Sequence, residues 1–347
     1  MQLGYTTRLD YRIGDIDKMQ GNIAMTAEPP EIGIIDYEGA QQAAVLGMTD
    51  LIVFAERRAR EKAKSEQPLL RLSHWRLVGG ETGEPARIFD TAPTSPGRPT
   101  FLLVPPGLGA PLPQEMTARY AQWLRVQHSE GTALGSVCNG AFLLGETGLL
   151  SRRKVTTHWT YEEPFLSRFP EVELDTDRLI VDDGDIVTAG GIMAWIDLCL
   201  KLIDRFLGPT IMVETARTFL VDPPGREQSY YSAFAPKLNH GDAAILKVQH
   251  WLQATEGKQM SLAALAAQAG LQERTFIRRF QKATGLTTGD YIQRLRVNKA
   301  RELLQFTKAS VDQVAWEVGY TDPSAFRKIF GRIVGLTPQE YRQRFAV

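Results

Sequence analysis

Residues 31–208 alternate between short apolar runs and longer segments whose apolar positions repeat with helical spacing. The short runs predict β-strands, and they lie at 31–36, 101–104, 133–137 and 186–189. The longer segments predict helices, and they extend to about 64 and over 116–128, 140–147 and 192–207. Because parallel strands need a long crossover between them, this alternation predicts an α/β domain in which helices cover a parallel sheet.

The C-terminal part has a purely helical pattern that occurs twice, at 261–291 and 310–341. Each copy begins with a serine, whose hydroxyl can cap a helix by accepting a hydrogen bond from an N–H of the first turn. A glycine nine residues later ends that helix at a turn. The next helix carries two phenylalanines at i and i+4, which share one face. The pattern therefore predicts an all-α domain with two helix-turn-helix motifs.

The outward faces of the two second helices follow from their phenylalanines. Arg274 and Arg278 are each two residues from a phenylalanine, about 200° around a helix, so they are expected to face away from the core. Ser324 and Lys328 hold the matching positions in the second copy. Between the copies, the pattern predicts one helix over about 288–305. Its length of roughly 27 Å can hold the two units about one turn of DNA apart.

The formal net charge is zero, but the charges are unevenly divided along the chain. Residues 240–347 hold 16 Lys and Arg against 9 Asp and Glu, a net charge of +7. The other residues hold 24 against 31, a net charge of −7. A basic C-terminal third fits double-stranded DNA as a partner, and an acidic remainder fits a domain that stays away from DNA.

The sequence lacks the patterns of a membrane span, a secretory signal, a disulfide framework and a metal or cofactor site. No stretch approaches 18 consecutive apolar residues, so no membrane span is expected. Residues 1–30 lack the features of a secretory signal, so the expected location is the cytoplasm. The two cysteines, Cys138 and Cys199, cannot form a disulfide framework, and Cys199 lies in an apolar helix and is expected in the core. Neither a metal nor a cofactor is expected, because no ligand pattern for either is present.

Two runs of the repeated segment carry a family resemblance. They read L-A-A-Q-A-G-L-Q-E-R-T-F-I-R-R-F-Q-K-A-T-G-L and V-A-W-E-V-G-Y-T-D-P-S-A-F-R-K-I-F-G-R-I-V-G-L-T-P, and they closely resemble the AraC-type DNA-binding domain. The resemblance implies base contacts from Arg274 and Arg278 and from positions near Ser324 and Lys328. It implies a phosphate contact for Arg327. For any single surface arginine, the alternative is a solvated charge without a partner.

The same resemblance separates the roles of the two copies. Arg296 in the connecting helix matches a position that more often braces the two halves than contacts DNA. Arginine can bond O6 and N7 of guanine together, which makes Arg274 and Arg278 suited to base discrimination. Ser324 and Lys328 are better suited to phosphate contact. The first copy is therefore expected to constrain the DNA sequence more strongly than the second.

The run G-S-V-C-N-G-A-F-L-L-G at 135–145 has the form of a nucleophile elbow. Such a turn from strand to helix places Cys138 in a strained and accessible position, where the helix N-terminus would stabilise a thiolate. His158 follows 20 residues later, in T-T-H-W. On geometry alone, Cys138 and His158 could form a nucleophilic site.

Five segments of the N-terminal part carry a second resemblance. They are Y-E-G-A-Q-Q-A-A-V-L-G-M-T-D-L, V-P-P-G-L-G-A-P, V-C-N-G-A-F-L-L-G-E-T-G-L-L, T-T-H-W and P-P-G-R-E-Q-S. They resemble the class I glutamine-amidotransferase-like superfamily, which includes PfpI-type proteases, and more specifically the GlxA-type regulators, which join such a domain to an AraC-type domain. The resemblance implies a flavodoxin-like parallel sheet flanked by helices.

The residues around Cys138 depart from the enzyme pattern of that superfamily. Asn139 stands where PfpI-type enzymes have histidine, and Gln41 stands where they have glutamate. The glycine pair of the oxyanion hole is Pro106-Gly107, so one backbone amide is lost. Cys138 is then open to three interpretations, as part of a ligand pocket, as a structural residue, or as a catalytic nucleophile. The expected ligand-binding residues are Cys138, Asn139, His158, Gly107 and Gln41.

The chain is accordingly divided into four parts. Residues 1–30 are expected to be a poorly ordered extension, 31–221 an amidotransferase-like sensing domain, 222–240 a linker, and 241–347 an AraC-type DNA-binding domain. The function implied is that of a transcription regulator without enzymatic activity. It is expected to act as a homodimer and, if it is an activator, to contact RNA polymerase. Its expected effector is a small nitrogenous molecule such as an amino acid or a quaternary amine. The alternatives are a cysteine-dependent amidohydrolase or peptidase that uses Cys138, and a DNA-binding scaffold without a ligand.

Overall fold

The computed structural model describes residues 28–79, 83–93, 97–223, 225–258 and 261–346. The N-terminal extension predicted over 1–30 lies outside the described residues, apart from its last three. No helix in the described part of the chain is long and apolar enough to cross a membrane.

The described part of the N-terminal domain contains a seven-stranded sheet with the order β3-β2-β1-β4-β5-β9-β8. Its strands are β1 Glu31–Ile35, β2 Arg71–Leu77, β3 Pro85–Asp90, β4 Phe101–Val104, β5 Ala133–Val137, β8 Ile180–Asp182 and β9 Ile186–Ala189. The five central strands are parallel, and β3 and β8 pair antiparallel at the two edges. A separate parallel pair joins β6 Lys154–Val155 and β7 Glu173–Leu174. The mostly parallel sheet predicted from the sequence is confirmed.

Helices cover this sheet on both faces. They are α1 Gln42–Ala63, α2 Gln114–Ser129, α3 Gly140–Gly145, α4 Glu162–Arg168, α5 Trp195–Leu207 and α6 Pro209–Phe219. The chain moves through α1 from β1 to β2 in one direction along the sheet, and through α2 from β4 to β5 in the other. Because such crossovers are right-handed, α1 and α2 lie on opposite faces. Helices α5 and α6 pack with α1, and α3 packs with α2.

Strands β2 and β3 were not predicted, because charged residues interrupt their apolar pattern. The guanidinium of Arg71 in β2 is buried, and its Nε donates to Asp90 Oδ1 at 2.9 Å. Its Nη1 lies 3.3 Å from the carboxylate of Glu31, which is also buried. A strand that buries paired charges lacks the alternation from which strands are predicted.

The C-terminal domain is helical throughout its described residues. Its helices are α7 Ala243–Ala254, α8 Leu262–Ala269, α9 Glu273–Thr284, α10 Thr288–Phe306, α11 Val311–Glu317, α12 Pro323–Val334 and α13 Pro338–Phe345. Ser261 caps α8 and Ser310 caps α11, each through its hydroxyl, as predicted. Gly270 and Gly319 adopt φ values of 66° and 87°, which favour glycine at the turn of each motif. The two predicted helix-turn-helix motifs are therefore confirmed.

Each motif packs around its own small core. Phe276, Phe280 and Tyr291 are buried in the first, and Phe326, Phe330 and Tyr341 hold the same positions in the second.

Arg296 on α10 joins the two motifs. Its Nε and Nη2 donate to Gly257 O at 3.0 and 2.8 Å, and its Nη1 donates to Gly319 O at 3.1 Å. These carbonyls precede the first motif and lie in the turn of the second, so the predicted bracing role is confirmed.

Candidate sensor pocket and DNA-binding surface

The elbow lies at the carboxyl edge of the parallel sheet, between β5 and α3. Cys138 adopts the left-handed conformation, with a φ of 54°. Its N–H donates to Ala189 O at 2.8 Å, and its carbonyl accepts from Thr157 Oγ1 at 2.7 Å. A Cβ on Gly140 would lie 2.6 Å from Pro105 O, so this glycine allows α3 to approach the end of β4. The predicted strained turn is present.

The thiol of Cys138 does not have the predicted accessibility. The residue is only 3% exposed, and burial raises the pKa of its thiol to about 11 although the backbone N–H of Asn139 acts in the opposite direction. The thiol is therefore protonated near neutral pH. The expectation of an accessible, stabilised thiolate is wrong, because the cost of removing the charge from water exceeds the stabilisation from the helix N-terminus.

Asn139 bonds to the loop that holds Pro106-Gly107, the pair that matches the glycine pair of the oxyanion hole in the resemblance. Its Oδ1 accepts from the N–H of Gly107 at 2.6 Å, and its Nδ2 donates to Gly109 O at 3.0 Å. The neighbouring Pro106 has no N–H to offer. One oxyanion-hole donor is thus absent and the other is already bonded within the chain.

Gln41 lies at the start of α1, next to the same loop. Its backbone N–H donates to Pro106 O at 2.7 Å. Its buried Oε1 has no hydrogen-bond partner among the described residues, and its Nε2 lies 4.0 Å from Met193 Sδ. A glutamine here can position the loop, but it has no carboxylate with which to hold a catalytic proton.

His158 is half-buried and turned toward its own local segment. Its Nδ1 accepts from the N–H of Thr160 at 3.2 Å and lies 2.7 Å from Thr160 Oγ1. Its ring stacks on Trp159 at a centroid distance of 5.5 Å. Burial lowers the pKa of His158, so the imidazole is neutral near pH 7. Within the described residues, no hydrogen bond joins His158 to Cys138.

A small cavity of about 70 Å³ lies beside the elbow. Its lining includes Tyr37, Gly107, Gly109, Asn139 and Leu143. Of the expected ligand-binding residues, the cavity brings together Gly107 and Asn139 but not Cys138, His158 or Gln41. Its volume is several times smaller than the roughly 300–1,000 Å³ of typical ligand pockets.

Two tyrosines at this site were missed in the sequence. Tyr37 donates from its hydroxyl to Pro105 O at 2.9 Å, and burial raises its pKa. Tyr161 lies 3.4 Å from Gly109 O through its hydroxyl. Tyr37 is the first residue of the run Y-E-G-A-Q-Q, and Tyr161 follows T-T-H-W by two residues. Their position in or beside these two motifs is the signal in the sequence that could have identified them.

A larger cleft of about 1240 Å³ lies between the N-terminal domain and α10, away from the elbow. Asp175 and Asp177 line it on one side, and Arg294 and Arg301 line it on the other. No pattern in the sequence predicted this cleft, because it is formed where two separately folded domains meet.

The second helices of the two motifs, α9 and α12, are called here the first and second reading helix. The first reading helix, α9, presents its predicted outward residues to solvent. Arg274 and Arg278 are exposed, whereas Phe276 and Phe280 are fully buried. Neither arginine forms an ion pair within the described residues. The neighbouring Arg279, by contrast, donates through Nη2 to Asp242 Oδ1 at 2.7 Å. The predicted orientation of the helix is confirmed.

The second reading helix, α12, has the same orientation and different side chains. Ser324 and Lys328 are exposed, and so is Arg327. Arg327 Nη2 donates to Asp312 Oδ1 of α11 at 2.6 Å. A basic side chain of this unit is therefore paired within the protein.

Gln228 connects the elbow region to the segment before the DNA-binding domain. The hydroxyl of Thr157 donates to Cys138 O, and Gln228 Nε2 donates to Thr157 O at 2.9 Å. The same amide donates to Arg178 O at 2.8 Å, and its Oε1 accepts from Trp159 N–H at 3.2 Å. Gln228 is buried, although it belongs to the predicted linker 222–240.

The next residue, Ser229, reaches the DNA-binding domain. Its carbonyl accepts from Arg301 Nη2 of α10 at 2.6 Å, and its hydroxyl donates to Val334 O at 2.9 Å. Val334 is the last residue of α12. A continuous set of side-chain and backbone contacts therefore runs from Cys138 through Thr157 and the 228–229 segment to the second reading helix.

The fold, the elbow and the exposed faces of α9 and α12 define the class of protein. It is a DNA-binding protein in which an α/β domain is followed along the chain by two helix-turn-helix units. Residues 88–205 match the DJ-1/PfpI family, and residues 265–344 match a helix-turn-helix domain family.

The chain is 27% identical over 333 residues to the HTH-type transcriptional regulator ArgR of Pseudomonas aeruginosa, covering 92% of this chain and 95% of that protein. It is 29% identical to the HTH-type transcriptional regulator GlxA of Rhizobium meliloti, covering 62% of this chain and 66% of that protein. The crystal structure of Drosophila melanogaster DJ-1beta is similar to 56% of this chain, over 99% of its own, with 20% identity and a TM-score of 0.43. The chain thus joins a DJ-1/PfpI domain to an AraC-type helix-turn-helix domain, as the GlxA-type transcriptional regulators do.

Proposed function

We propose that this protein is a transcription regulator that binds a double-stranded DNA operator through α9 and α12. The observation that carries the proposal is the pair of reading helices on one scaffold, each with its phenylalanines buried and its polar face exposed. Arg296 bonds to the segment before the first motif and to the turn of the second, and so holds the two motifs at a fixed separation. Fixed spacing lets both helices bind one DNA molecule without a further entropic cost.

We propose that the N-terminal domain senses its effector at the elbow and has no catalytic role. The protonated Cys138 thiol, the bonded amide of Gly107 and the glutamine at position 41 support the absence of catalysis. An effector that enlarges the small cavity would replace two hydrogen bonds, the one from the Gly107 N–H to Asn139 Oδ1 and the one from Asn139 Nδ2 to Gly109 O. The rings of Tyr37, which lines this cavity, and of Tyr161, whose hydroxyl lies 3.4 Å from Gly109 O, support a nitrogenous effector, since a cationic nitrogen binds well over aromatic faces.

Coupling between effector and DNA would pass through the 228–229 segment. Movement at Cys138 would shift Thr157 and Gln228, and Ser229 would transmit the shift to Arg301 and to the end of α12. Such a route requires that the two arrangements of the segment differ in affinity for DNA. We further propose that the protein works in the cytoplasm as a homodimer, with RNA polymerase as a partner if it activates transcription.

In-vitro selection from random double-stranded DNA tests the DNA-binding function. We expect the full-length protein to enrich one operator sequence. Replacing both Arg274 and Arg278 by alanine should abolish the enrichment while leaving α9 folded, because both side chains are exposed. If the wild-type protein enriches no sequence, the proposed function is wrong.

The effector proposal is tested by thermal unfolding with a set of amino acids, carnitine and betaine as probes. A ligand present at 100 times its Kd stabilises the folded state by ~2.7 kcal/mol, which raises Tm measurably. We expect a shift with at least one probe, and a smaller one in Asn139→Leu. A shift that is unchanged in Asn139→Leu would move the effector site away from the elbow.

The coupling route is tested by the alkylation rate of Cys138 in a Cys199→Ala background. Because linkage is reciprocal, DNA binding should change the exposure of the thiol if the elbow and α12 are coupled. We expect the selected operator to alter the alkylation rate, and Ser229→Ala to reduce that change. Ser232→Ala is the matched control, since it removes a hydroxyl from the same segment. Equal effects of the operator on all variants would exclude this route.

The pH dependence of the same reaction tests the absence of catalysis. With a thiol pKa of about 11, Cys138 is neutral at pH 7, and its alkylation rate should still be rising with pH at pH 10. A catalytic thiolate would instead reach its plateau below about pH 8. A plateau of that kind would support the hydrolase alternative.

A further inference from the structure

Ile277 is an apolar residue on the solvent-exposed part of α9. Its side chain is 43% exposed, and the two exposed arginines, Arg274 and Arg278, lie three residues before it and one after it. The core face of this helix is already formed by Phe276 and Phe280, which are fully buried. Ile277 is therefore not needed to fill the core, and its exposed surface is a cost in the free protein.

The second unit has a charged pair where the first has apolar side chains. Position 277 corresponds to Arg327, which is paired with Asp312 of α11. Asp312 in turn corresponds to Ala263 of α8, which is exposed. This difference lies on the outer surface, whereas the buried phenylalanines are the same in both units. At these positions the first unit thus has two exposed guanidiniums that form no ion pair within the described residues, together with an exposed isoleucine.

Each of these features has a counterpart in the major groove of DNA. Arginine bonds to the O6 and N7 atoms of guanine, and the apolar group on the groove floor is the 5-methyl group of thymine. A phosphate contact, which is expected of Arg327, is not possible for isoleucine because its side chain has no donor.

We propose that Ile277 reads a thymine by packing against its 5-methyl group, within the part of the operator that Arg274 and Arg278 contact. This proposal rests on the proposed DNA-binding function and deepens it. It assigns the first unit a second kind of base discrimination, which depends on apolar contact and not on charge.

The test replaces thymine by deoxyuridine, one position at a time, in the operator obtained by selection. Deoxyuridine lacks only the methyl group, so pairing and charge are unchanged. One buried methyl group corresponds to about a fourfold change in affinity. We expect one thymine in the α9 half-site whose replacement weakens binding of the wild-type protein by about that factor.

The Ile277→Ala protein supplies the second arm of the experiment. It should bind the unmodified operator about as weakly as the wild-type protein binds the deoxyuridine operator, and it should lose nothing further on that operator. Ile88→Ala is the matched control, since Ile88 is 44% exposed on β3 in the other domain. It should leave the deoxyuridine effect intact.

The outcomes separate this inference from the proposed function. If selection yields no operator, the DNA-binding function itself is wrong. If selection yields an operator but Ile277→Ala keeps the full sensitivity to deoxyuridine at every thymine, the inference about Ile277 is overturned and the DNA-binding function stands. Selection with Ile277→Ala gives an independent readout, because that one thymine should lose its enrichment while the guanines keep theirs.

Discussion

The two helix-turn-helix units are built on one scaffold and differ on their outer faces. In the first, the rings of Phe276 and Phe280 lie 5.4 Å apart, and Tyr291 packs edge-on against Phe280 at 5.2 Å. In the second, the corresponding phenylalanines lie 5.6 Å apart, and Tyr341 packs against Phe330 at 5.6 Å. The buried residues are thus constrained by packing in the same way in both units, whereas the exposed ones are free to diverge.

The divergence changes the charge that each unit offers. The first exposes two arginines and an isoleucine, without an ion pair on that surface in the described residues. The second exposes Ser324 and Lys328 and pairs Arg327 with Asp312. We therefore expect the stronger base contacts from the first unit and phosphate contacts from the single charges of the second. The comparison teaches that a duplicated fold does not imply a duplicated role.

The largest expected effect concerns the shared scaffold. Phe280→Ala and Phe330→Ala each remove a fully buried ring, so each should destabilise its own unit by about 3–5 kcal/mol. Hydrogen exchange of the amides in α9 and in α12 measures the two units separately. The losses should match, since the packing matches. A loss in one unit several times that in the other would contradict the idea of an equivalent scaffold.

A smaller and more selective effect is expected at Arg278. Arg278→Ala should weaken binding to the selected operator by ~1–3 kcal/mol, about 5- to 150-fold, and affect random DNA much less. Titrations of labelled operator and random DNA give both constants. Arg278→Lys keeps the charge but loses the paired geometry, so it should recover binding to random DNA only. Equal losses on both DNAs would make Arg278 a phosphate contact.

Lys328 in the second unit should behave differently from Arg278. If it contacts phosphate, Lys328→Ala weakens binding to all sequences alike and reduces the slope of log K against log salt by about 1. Affinities measured at several salt concentrations provide the slope. Lys308→Ala, an exposed lysine outside the reading helix, serves as the control. A preference for particular bases that disappears in Lys328→Ala would assign base reading to the second unit as well.

The smallest effect is expected from the ion pair between Asp312 and Arg327. Both side chains are about half exposed, and such pairs contribute only about 0–1 kcal/mol. Asp312→Ala should free Arg327 for phosphate and raise DNA affinity by less than about fivefold. The mirror change, Ala263→Asp, should lower affinity by placing a carboxylate beside the first reading helix. If both changes lower affinity, Asp312 is needed for the structure of the second unit.

The sequence predicted more of the structure of the two helix-turn-helix units than of the structure of the elbow. The N-caps, turns and orientation of α9 and α12 depend on spacings of three to nine residues, which are visible in one sequence. The turn from strand to helix at the elbow was also predicted, from the apolar run at 133–137, from Cys138 and from Gly140. The predicted accessibility of Cys138 was wrong, because the thiol is buried in a core that includes residues distant in sequence such as Tyr37. Strands β2 and β3 were missed for a similar reason, since their charges are neutralised only by partners elsewhere in the sheet.

The sequence by itself determined the two architectures, the repeated scaffold and the outward position of the arginines, because these follow from local periodicity and capping. Only the tertiary structure decided that Asn139 bonds to the amide of Gly107, that Gln228 is buried against the N-terminal domain, and that Ser229 bonds to α12. Each of these contacts joins residues at least 30 positions apart in the chain. A hydrogen bond of that kind leaves no period in the sequence, because its two ends come together only when the chain has folded.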